Sequence, residues 1–261
     1  MGPVTQFKMA RRVFGFDLYY TAAYFVDGLL IDTGFQHVAN DFFRRLREKN
    51  VQQIVHTHAH EDHVGANYLF QKHLGIKAKA HPAAIKLIFQ PPKKLRLYRE
   101  VIWGIPIAAE SEPIENEIST ENYIFKVVSL PGHSEDHIGL YEPSEGWLFG
   151  GDLFLGVKVK VLRYDEQIYE LMDSLQRAIK LPMSKFFCGS SKILDSPRQS
   201  LENKLQFFQE VQGKVLEFYQ KGWEINKIRD EVLGHESTIT YISQGEFSKL
   251  NLVQGFLNES D

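Results

Sequence analysis

The feature that most restricts this chain is a run of histidine and aspartate residues in the segment VQQIVHTHAHEDHVGAN. Four of the ten histidines fall within residues 56–63, and four potential metal ligands share six positions: His58, His60, Asp62 and His63. A chance match to this pattern is expected in on the order of one in a thousand chains of this composition. Imidazole nitrogen and carboxylate oxygen both bind Zn²⁺ and similar cations, so the segment predicts a metal site.

The spacing of these residues favours two ions. A turn brings residues two positions apart onto one ion, so His58 and His60 are predicted to share a metal. Asp62 and His63 are displaced along the turn and can face a second ion about 3.5–4 Å away, the separation in two-metal hydrolytic sites. The alternative to a metal site is a polar surface loop in which these side chains only hydrogen-bond to one another. His56 precedes the turn on a strand and is predicted to be structural.

The sequence around this loop alternates between strand and helix patterns. Two apolar runs, residues 13–16 and 19–25, lead to Asp27-Gly28, a strong hairpin signal, and then to LLIDTG, an order that predicts a β-meander. Apolar periodicity predicts helices over residues 37–50 and 64–76, with a buried strand entering the histidine loop between them. Residues 83–120, rich in Pro, Lys and aromatic side chains, are predicted to be irregular.

Four short motifs, in their order along the chain, resemble those of the metallo-β-lactamase superfamily from about residue 28 to 192. They are LLIDTG with Asp32, THAHEDHVG, PGHS with His133 and GGDLF with Asp152. The resemblance implies an α/β fold, the αββα sandwich, in which Asp32 supports the metal loop. It implies that the first metal is bound by His58, His60 and His133, and the second by Asp62, His63 and the bridging Asp152.

The chain departs from the family pattern in the segment FFCGSSKI. Ser190 stands where related sequences have a last histidine ligand, and a hydroxyl is a poor replacement for imidazole. We therefore expect one tightly bound Zn²⁺ and a second that is weakly bound or absent. If the alignment is shifted, His235 is the later histidine that could fill this role. Asp136 and His137 follow His133 in a loop and are predicted to be network residues.

The last part of the chain has a helical pattern. An apolar stripe runs through Leu201, Leu205, Phe208, Val211, Val215 and Tyr219. We predict a metallo-β-lactamase-like αββα domain over residues 1–197 and a C-terminal helical extension over residues 198–261. The extension resembles the winged-helix-like tail of the branch that includes the β-lactamase-like 2 endoribonuclease.

Composition limits the partners of the chain. The net charge of −3 gives no global positive field for nucleic acid or a membrane surface. Cys188 is the single cysteine, which excludes an intramolecular disulfide and fits a reducing compartment. No leader or membrane span is evident, so the chain is predicted to be cytoplasmic, to have no membrane partner and to act on a small molecule. The sequence does not determine the oligomeric state.

RNA is the alternative partner. The segment PPKKLRLYREVIW combines cations with aromatic residues that can grip phosphates and stack on bases: Lys93, Lys94, Arg96, Arg99, Tyr98 and Trp103. An amphipathic surface helix with a solvated basic face accounts for the same residues.

The predicted activity is metal-dependent hydrolysis of a small ester, thioester or lactone, with Zn²⁺ as the metal and Fe²⁺ or Mn²⁺ as alternatives. Asp62 is the candidate catalytic residue, because a carboxylate beside the attacking water can orient it and accept its proton. The alternative activities are RNA or phosphodiester cleavage and a non-haem iron persulfide dioxygenase. A degenerate member that binds metal without catalysis, as Ser190 suggests, is the non-enzymatic alternative.

Overall fold

The computed structural model describes residues 3–258 and shows a mixed α/β fold. The strands are β1 (Thr5–Val13), β2 (Phe16–Val26), β3 (Leu29–Ile31), β4 (Gln53–Val55), β5 (Ala78–Ala80), β6 (Ser111–Pro113), β7 (Glu117–Ser119), β8 (Ile124–Ser129), β9 (Ile138–Glu142), β10 (Trp147–Phe149), β11 (Leu162–Arg163), β12 (Lys185–Phe187), β13 (Ile193–Leu194) and β14 (Phe247–Ser248). The helices are α1 (Ala39–Leu46), α2 (Asn67–Leu74), α3 (Pro82–Phe89), α4 (Leu97–Ile102), α5 (Ile168–Ile179), α6 (Pro197–Gln220), α7 (Ile225–Leu233), α8 (Thr238–Ile242) and α9 (Lys249–Leu257). Within residues 3–258, no helix combines the length and apolar character needed to cross a membrane.

The contacts divide the chain into two compact units, each assembled from separate segments. The first unit contains the described residues up to Ser129, together with 135–152 and 183–195. The second contains residues 130–134, 153–182 and the chain from Ser196 onward. The predicted domain boundary between residues 197 and 198 stays a prediction.

Two six-stranded sheets form the framework of the first unit. One sheet has the order β1-β2-β3-β4-β5-β6, antiparallel from β1 to β3 and parallel from β3 to β6. The other has the order β13-β12-β10-β9-β8-β7, in which only the β10–β12 pair is parallel. The strand, helix, strand order predicted around the histidine loop is confirmed, and the loop follows β4 at its carboxyl end.

The core of the first unit has two layers. Between the sheets, apolar side chains of the first sheet such as Tyr24 and Leu29 form one cluster with Phe149 and Phe187 of the second. On the outer face of the first sheet, α1 and α2 contribute apolar side chains such as Phe42 and Phe70 to a second cluster. The first sheet therefore lies between a helical layer and the second sheet.

The hairpin predicted at Asp27-Gly28 is confirmed. Both residues have positive φ angles, 49° and 79°, as a two-residue type I′ turn requires. The Asp27 carboxylate also accepts hydrogen bonds from the main-chain and side-chain nitrogens of Asn122, at 2.7 and 2.9 Å. The turn thus sets the register of β2 against β3, which leads directly to Asp32.

The prediction that residues 83–120 are irregular is wrong in part. Helix α3 begins at Pro82, a position where the missing N–H of proline costs no hydrogen bond, and His81 Nδ1 accepts a hydrogen bond from Ala83 N at 3.3 Å. Helix α4 forms farther along, with Tyr98 buried. Both helices are short and lack a regular apolar period, so the sequence pattern did not predict them.

The second unit is mainly helical. Helix α6 packs against α5, α7 and α9, and the antiparallel pair β11–β14 completes the unit. Within the predicted apolar stripe, Leu201, Phe208, Val211 and Val215 are buried, whereas Tyr219 is exposed. The stripe therefore ends one turn earlier than the sequence pattern predicts.

We expect Phe149→Ala to lower the free energy of unfolding by about 3–5 kcal/mol, because it removes a buried ring from the core between the sheets. Phe149 is 1% exposed and stacks on Phe187 with ring centroids 4.5 Å apart. The control Phe16→Ala removes a ring that is 74% exposed and should change stability by less than about 0.5 kcal/mol. Denaturant unfolding of both variants measures the difference, and equal losses would contradict the assigned core.

Candidate metal centre

Asp32 supports the histidine loop from the end of β3. Its carboxylate accepts hydrogen bonds from Thr57 N at 2.8 Å, Thr57 Oγ1 at 2.9 Å and His63 Nδ1 at 2.8 Å. Burial by itself would raise the pKa of Asp32, but the charges and hydrogen bonds of His63 and His56 outweigh it and hold the pKa well below its usual range. An ionised Asp32 therefore joins both ends of the loop, the supporting position that the family resemblance implies.

These hydrogen bonds also orient two histidine rings. His63 donates from Nδ1 to Asp32, so its Nε2 is the nitrogen left for a metal. The Thr57 hydroxyl donates to Asp32 and lies 3.0 Å from His58 Nδ1, which can donate to it in turn. Nε2 of His58 is then the nitrogen left for a metal. This tautomer is the one that commonly accompanies metal binding through Nε2.

Nitrogen and oxygen donors from two loops, those after β4 and β10, converge in the first unit. One ligand atom each of His58, His63 and Asp152 lie within 4.8 Å of one another, and all three residues are buried. His63 Nε2 is 3.6 Å from Asp152 Oδ1 and 3.7 Å from Asp62 Oδ2. Two donors bound to one tetrahedral ion at about 2.0–2.1 Å are roughly 3.4 Å apart, so these separations suit a shared cation.

The electrostatics of the cluster also favour a cation. Burial opposes the charging of His63, but the carboxylates of Asp32, Asp62 and Asp152 raise its pKa well above the ordinary value. Burial raises the pKa of Asp62 to about 6, opposed by the positive charge of His63 and aided by the negative charges of Asp152 and Glu61. Three buried carboxylates around one imidazole form a site of negative charge that a divalent cation would balance.

The donor set fits a divalent metal. Imidazole and carboxylate ligands suit zinc and also iron or manganese, and the cluster offers both types at coordinating separations. His60 lies at the edge of this group, half-buried, with its ring centroid 4.4 Å from that of His58. The structure therefore brings together four of the predicted ligands around His58, which are His60, Asp62, His63 and Asp152.

Asp136 and His137 are network residues, as predicted. Asp136 Oδ2 accepts a hydrogen bond from Ala59 N at 2.8 Å and so holds the loop between His58 and His60. His137 Nε2 accepts from Asp152 N at 3.0 Å. Both side chains bind the main chain of the ligand loops.

His133 belongs to the second unit, where its partner is a residue that the sequence did not single out. His133 Nδ1 lies 2.5 Å from Glu166 Oε1, and both side chains are buried. Arg163 N donates to the other carboxylate oxygen of Glu166 at 2.9 Å. Glu166 thus holds the His133 ring with Nε2 as the nitrogen available to a metal. The partners are 33 residues apart, and no local motif signals the contact.

The loop after β12 lies against the cluster at Gly189. A Cβ atom at this position would lie 2.2 Å from Asp152 Oδ1 and 2.8 Å from His63 Cε1. No side chain can be accommodated there without moving Asp152 or His63. Ser190 follows directly, and its buried hydroxyl has no hydrogen-bond partner among residues 3–258. Cys188, which precedes Gly189, is fully buried, where a small thiol packs well.

The basic segment that suggested RNA binding includes a residue with another role. Arg99 forms a forked ion pair with Glu61, with Nε–Oε1 and Nη2–Oε2 distances of 2.5 and 2.6 Å. Its guanidinium is therefore not part of a solvated basic face. Lys93 and Lys94 are exposed.

The sequence pattern of the metallo-beta-lactamase superfamily matches residues 17–190, about two thirds of the chain. The chain belongs to this superfamily. It is similar to the beta-lactamase-like protein 2 homolog of Drosophila melanogaster, with 28% identity over 202 residues, which are 73% of this chain and 64% of that protein. It is also similar to the hydroxyacylglutathione hydrolase of Legionella pneumophila strain Paris, with 25% identity over 155 residues, 59% of this chain and 54% of that protein. The chain thus spans less than two thirds of the length of these relatives.

Solved structures share the fold. A metallo-beta-lactamase family protein from Thermus thermophilus superposes with a TM-score of 0.70 at 17% identity, covering 98% of this chain and 92% of that one. A chain called TTHA1623, solved in a di-iron-bound form, has a TM-score of 0.57 at 26% identity and covers 77% of this chain and 98% of that one. The predicted α/β metallo-β-lactamase fold is confirmed.

We expect Gly189→Ala to lower the free energy of unfolding by about 1–3 kcal/mol and to weaken metal binding, because its Cβ would displace the Asp152 carboxylate. Gly213→Ala is the matched control. A Cβ there meets nothing within 4 Å, so this change in the middle of α6 should stabilise the chain by about 0.5–1 kcal/mol. Denaturant unfolding and elemental analysis of metal content measure both effects, and normal metal content in Gly189→Ala would contradict the assigned geometry.

Proposed function

We propose that this chain is a metal-dependent hydrolase that acts on a small ester, thioester or lactone. The observation that carries the proposal is the buried cluster of imidazole and carboxylate donors around His58, His63 and Asp152. Membership of the metallo-beta-lactamase superfamily supports it. Relatives named hydroxyacylglutathione hydrolase favour a thioester among the three substrate classes.

We assign the first metal to His58, His60 and His133, and the second to Asp62, His63 and Asp152, with Asp152 as the bridge. The loop positions of the first-unit residues and the hydrogen bonds that orient His58 and His63 support this division. The assignment of His133 rests on the PGHS motif and on the carboxylate that orients its ring. Zn²⁺ is the proposed metal, and the di-iron form of one structural relative makes iron the first alternative to test.

The protein residues have distinct roles in this proposal. When bound, a divalent ion supplies Lewis acidity, which polarises a scissile carbonyl and makes water a better nucleophile at neutral pH. Where the second metal is absent, Asp62 is free to orient the attacking water and accept its proton, and burial, which raises the pKa of this carboxyl to about 6, suits that role. Asp32 and Glu166 act through His63 and His133 by holding each ring in one orientation.

Loss of the metal, or of one ligand, is expected to abolish activity. We expect chelator-treated protein and His58→Ala to lose at least about 100-fold in kcat/KM, because a removed imidazole disrupts the metal site itself. His235→Ala is the matched control, since the His235 side chain is 89% exposed and pairs with Asp230. The assay uses metal-loaded protein on a thioester of glutathione, an aryl ester, a lactone and single-stranded RNA.

The panel also separates the competing activities. Turnover of RNA alone would replace the proposed substrate class with a phosphodiester, and full activity of His58→Ala would remove the metal mechanism. No turnover of any substrate by protein with bound metal would favour a metal-binding member without catalysis. Loss of activity in His235→Ala would show that His235 supplies the last histidine ligand, for which the chain has Ser190.

We expect wild-type protein to bind about one equivalent of Zn²⁺ tightly and Ser190→His to bind a second, because the added imidazole supplies the ligand that related sequences carry there. Ser190→Ala is the control and should bind Zn²⁺ as the wild type does. Calorimetric titration of the three metal-depleted proteins gives the stoichiometry. Two tight equivalents in the wild type would mean that another group completes the second site.

A further inference from the structure

The ion pair between Glu61 and Arg99 joins the ligand loop to a segment 38 residues away. Glu61 lies between two predicted ligands, His60 and Asp62, yet its own side chain points into this pair. The exposed fractions of the Glu61 and Arg99 side chains are 4% and 17%. Two charges so poorly solvated are stable only with good geometry, and here two of the three guanidinium nitrogens each donate to one carboxylate oxygen. Glu61 is therefore held in a single orientation.

Arg99 is itself held by parts of the first unit that contribute no metal ligand. Trp103 follows the last residue of helix α4, and its ring contacts the Tyr19 ring on β2 at a centroid distance of 5.6 Å. The carbonyl of Trp103 accepts a hydrogen bond from His37 N at 3.3 Å. Tyr98, beside Arg99, is buried. The end of α4 is thus attached to β2 and to the turn before α1, and through the guanidinium of Arg99 this segment restrains the ligand loop.

We propose that Arg99 is a positioning residue of the metal centre, which holds the ligands on both sides of Glu61 in their binding orientation. Glu61 is joined through the main chain to His60 on one side and Asp62 on the other. A rotation of its backbone would move both neighbours, so fixing Glu61 restrains His60 and Asp62 together. This inference rests on the proposed metal centre. Residues that support metal ligands from outside typically change affinity about 10–100-fold when they are lost.

The proposal gives the basic, aromatic segment a function other than phosphate binding. Arg99 uses its fork on Glu61, and a second anion would have to compete with a buried carboxylate for it. The segment that contains α4 is then a support of the ligand loop, built from residues far from it in sequence.

The test measures Zn²⁺ affinity of the full chain by competition with a chromophoric chelator. The variants are Arg99→Ala, Arg99→Lys, Glu61→Gln and the double variant Glu61→Gln with Arg99→Ala. Lys77→Ala is the matched control, because it removes an exposed ion pair with Glu110 in the same unit. We expect Arg99→Ala to bind Zn²⁺ about 10–100-fold more weakly, and Arg99→Lys to fall between it and the wild type because it keeps the charge without the fork.

The double variant separates coupling from independent damage. If the pair acts as one element, the double variant binds Zn²⁺ no more weakly than Arg99→Ala, and Lys77→Ala binds as the wild type does. The proposal is overturned if Arg99→Lys and Glu61→Gln both keep Zn²⁺ affinity within about twofold of the wild type while thermal unfolding of the chelator-treated proteins shifts downward. That result would mean that the Glu61–Arg99 ion pair stabilises the fold and does not position the metal ligands. Absence of Zn²⁺ binding by the wild type would instead remove the proposed metal centre, and this inference with it.

Discussion

A buried, ionised carboxylate determines the shape of the metal loop. Asp32 can stay charged away from water because it accepts three hydrogen bonds from Thr57 and His63, which begin and end the loop. An unsatisfied carboxylate at this depth would be costly, so the loop must close around it in this way. The same contacts turn the histidine rings towards the cluster. The geometry of the site therefore depends on Asp32, which is outside the group of donor atoms that converge there.

The cluster concentrates negative charge inside the first unit. Asp62 and Asp152 approach His63 in addition to Asp32, so the protein places three carboxylates around one ring that carries at most one positive charge. Like charges at such distances destabilise the folded state unless a cation offsets them. A ligand that binds the folded chain alone adds its binding energy to stability. Metal binding and folding are therefore expected to be coupled. The hydrogen bonds of Asp32 already orient the histidine rings through contacts within the protein.

The ligand loop could be predicted from sequence because its chemistry is local. Several donors share a few positions, and the strand before them is a short apolar run. The supporting contacts could not be predicted in this way. Glu166 meets His133 across 33 residues and Arg99 meets Glu61 across 38, and each choice of partner depends on where a segment distant in sequence packs. Acidic and basic residues are common throughout the chain, so nothing in the sequence distinguishes these from solvated ones.

The order of the strands in the second sheet has a consequence for biosynthesis. Strand β10 pairs with β12, and the residues 153–182 between them belong to the second unit. As the chain is made from its N-terminus, the edge of β10 stays open until residues 185–187 have emerged, and an open edge is a template for incorrect pairing. Such long-range parallel pairing is slow to form. Neither unit is encoded as a continuous stretch, so neither can be exchanged between genes as a single block.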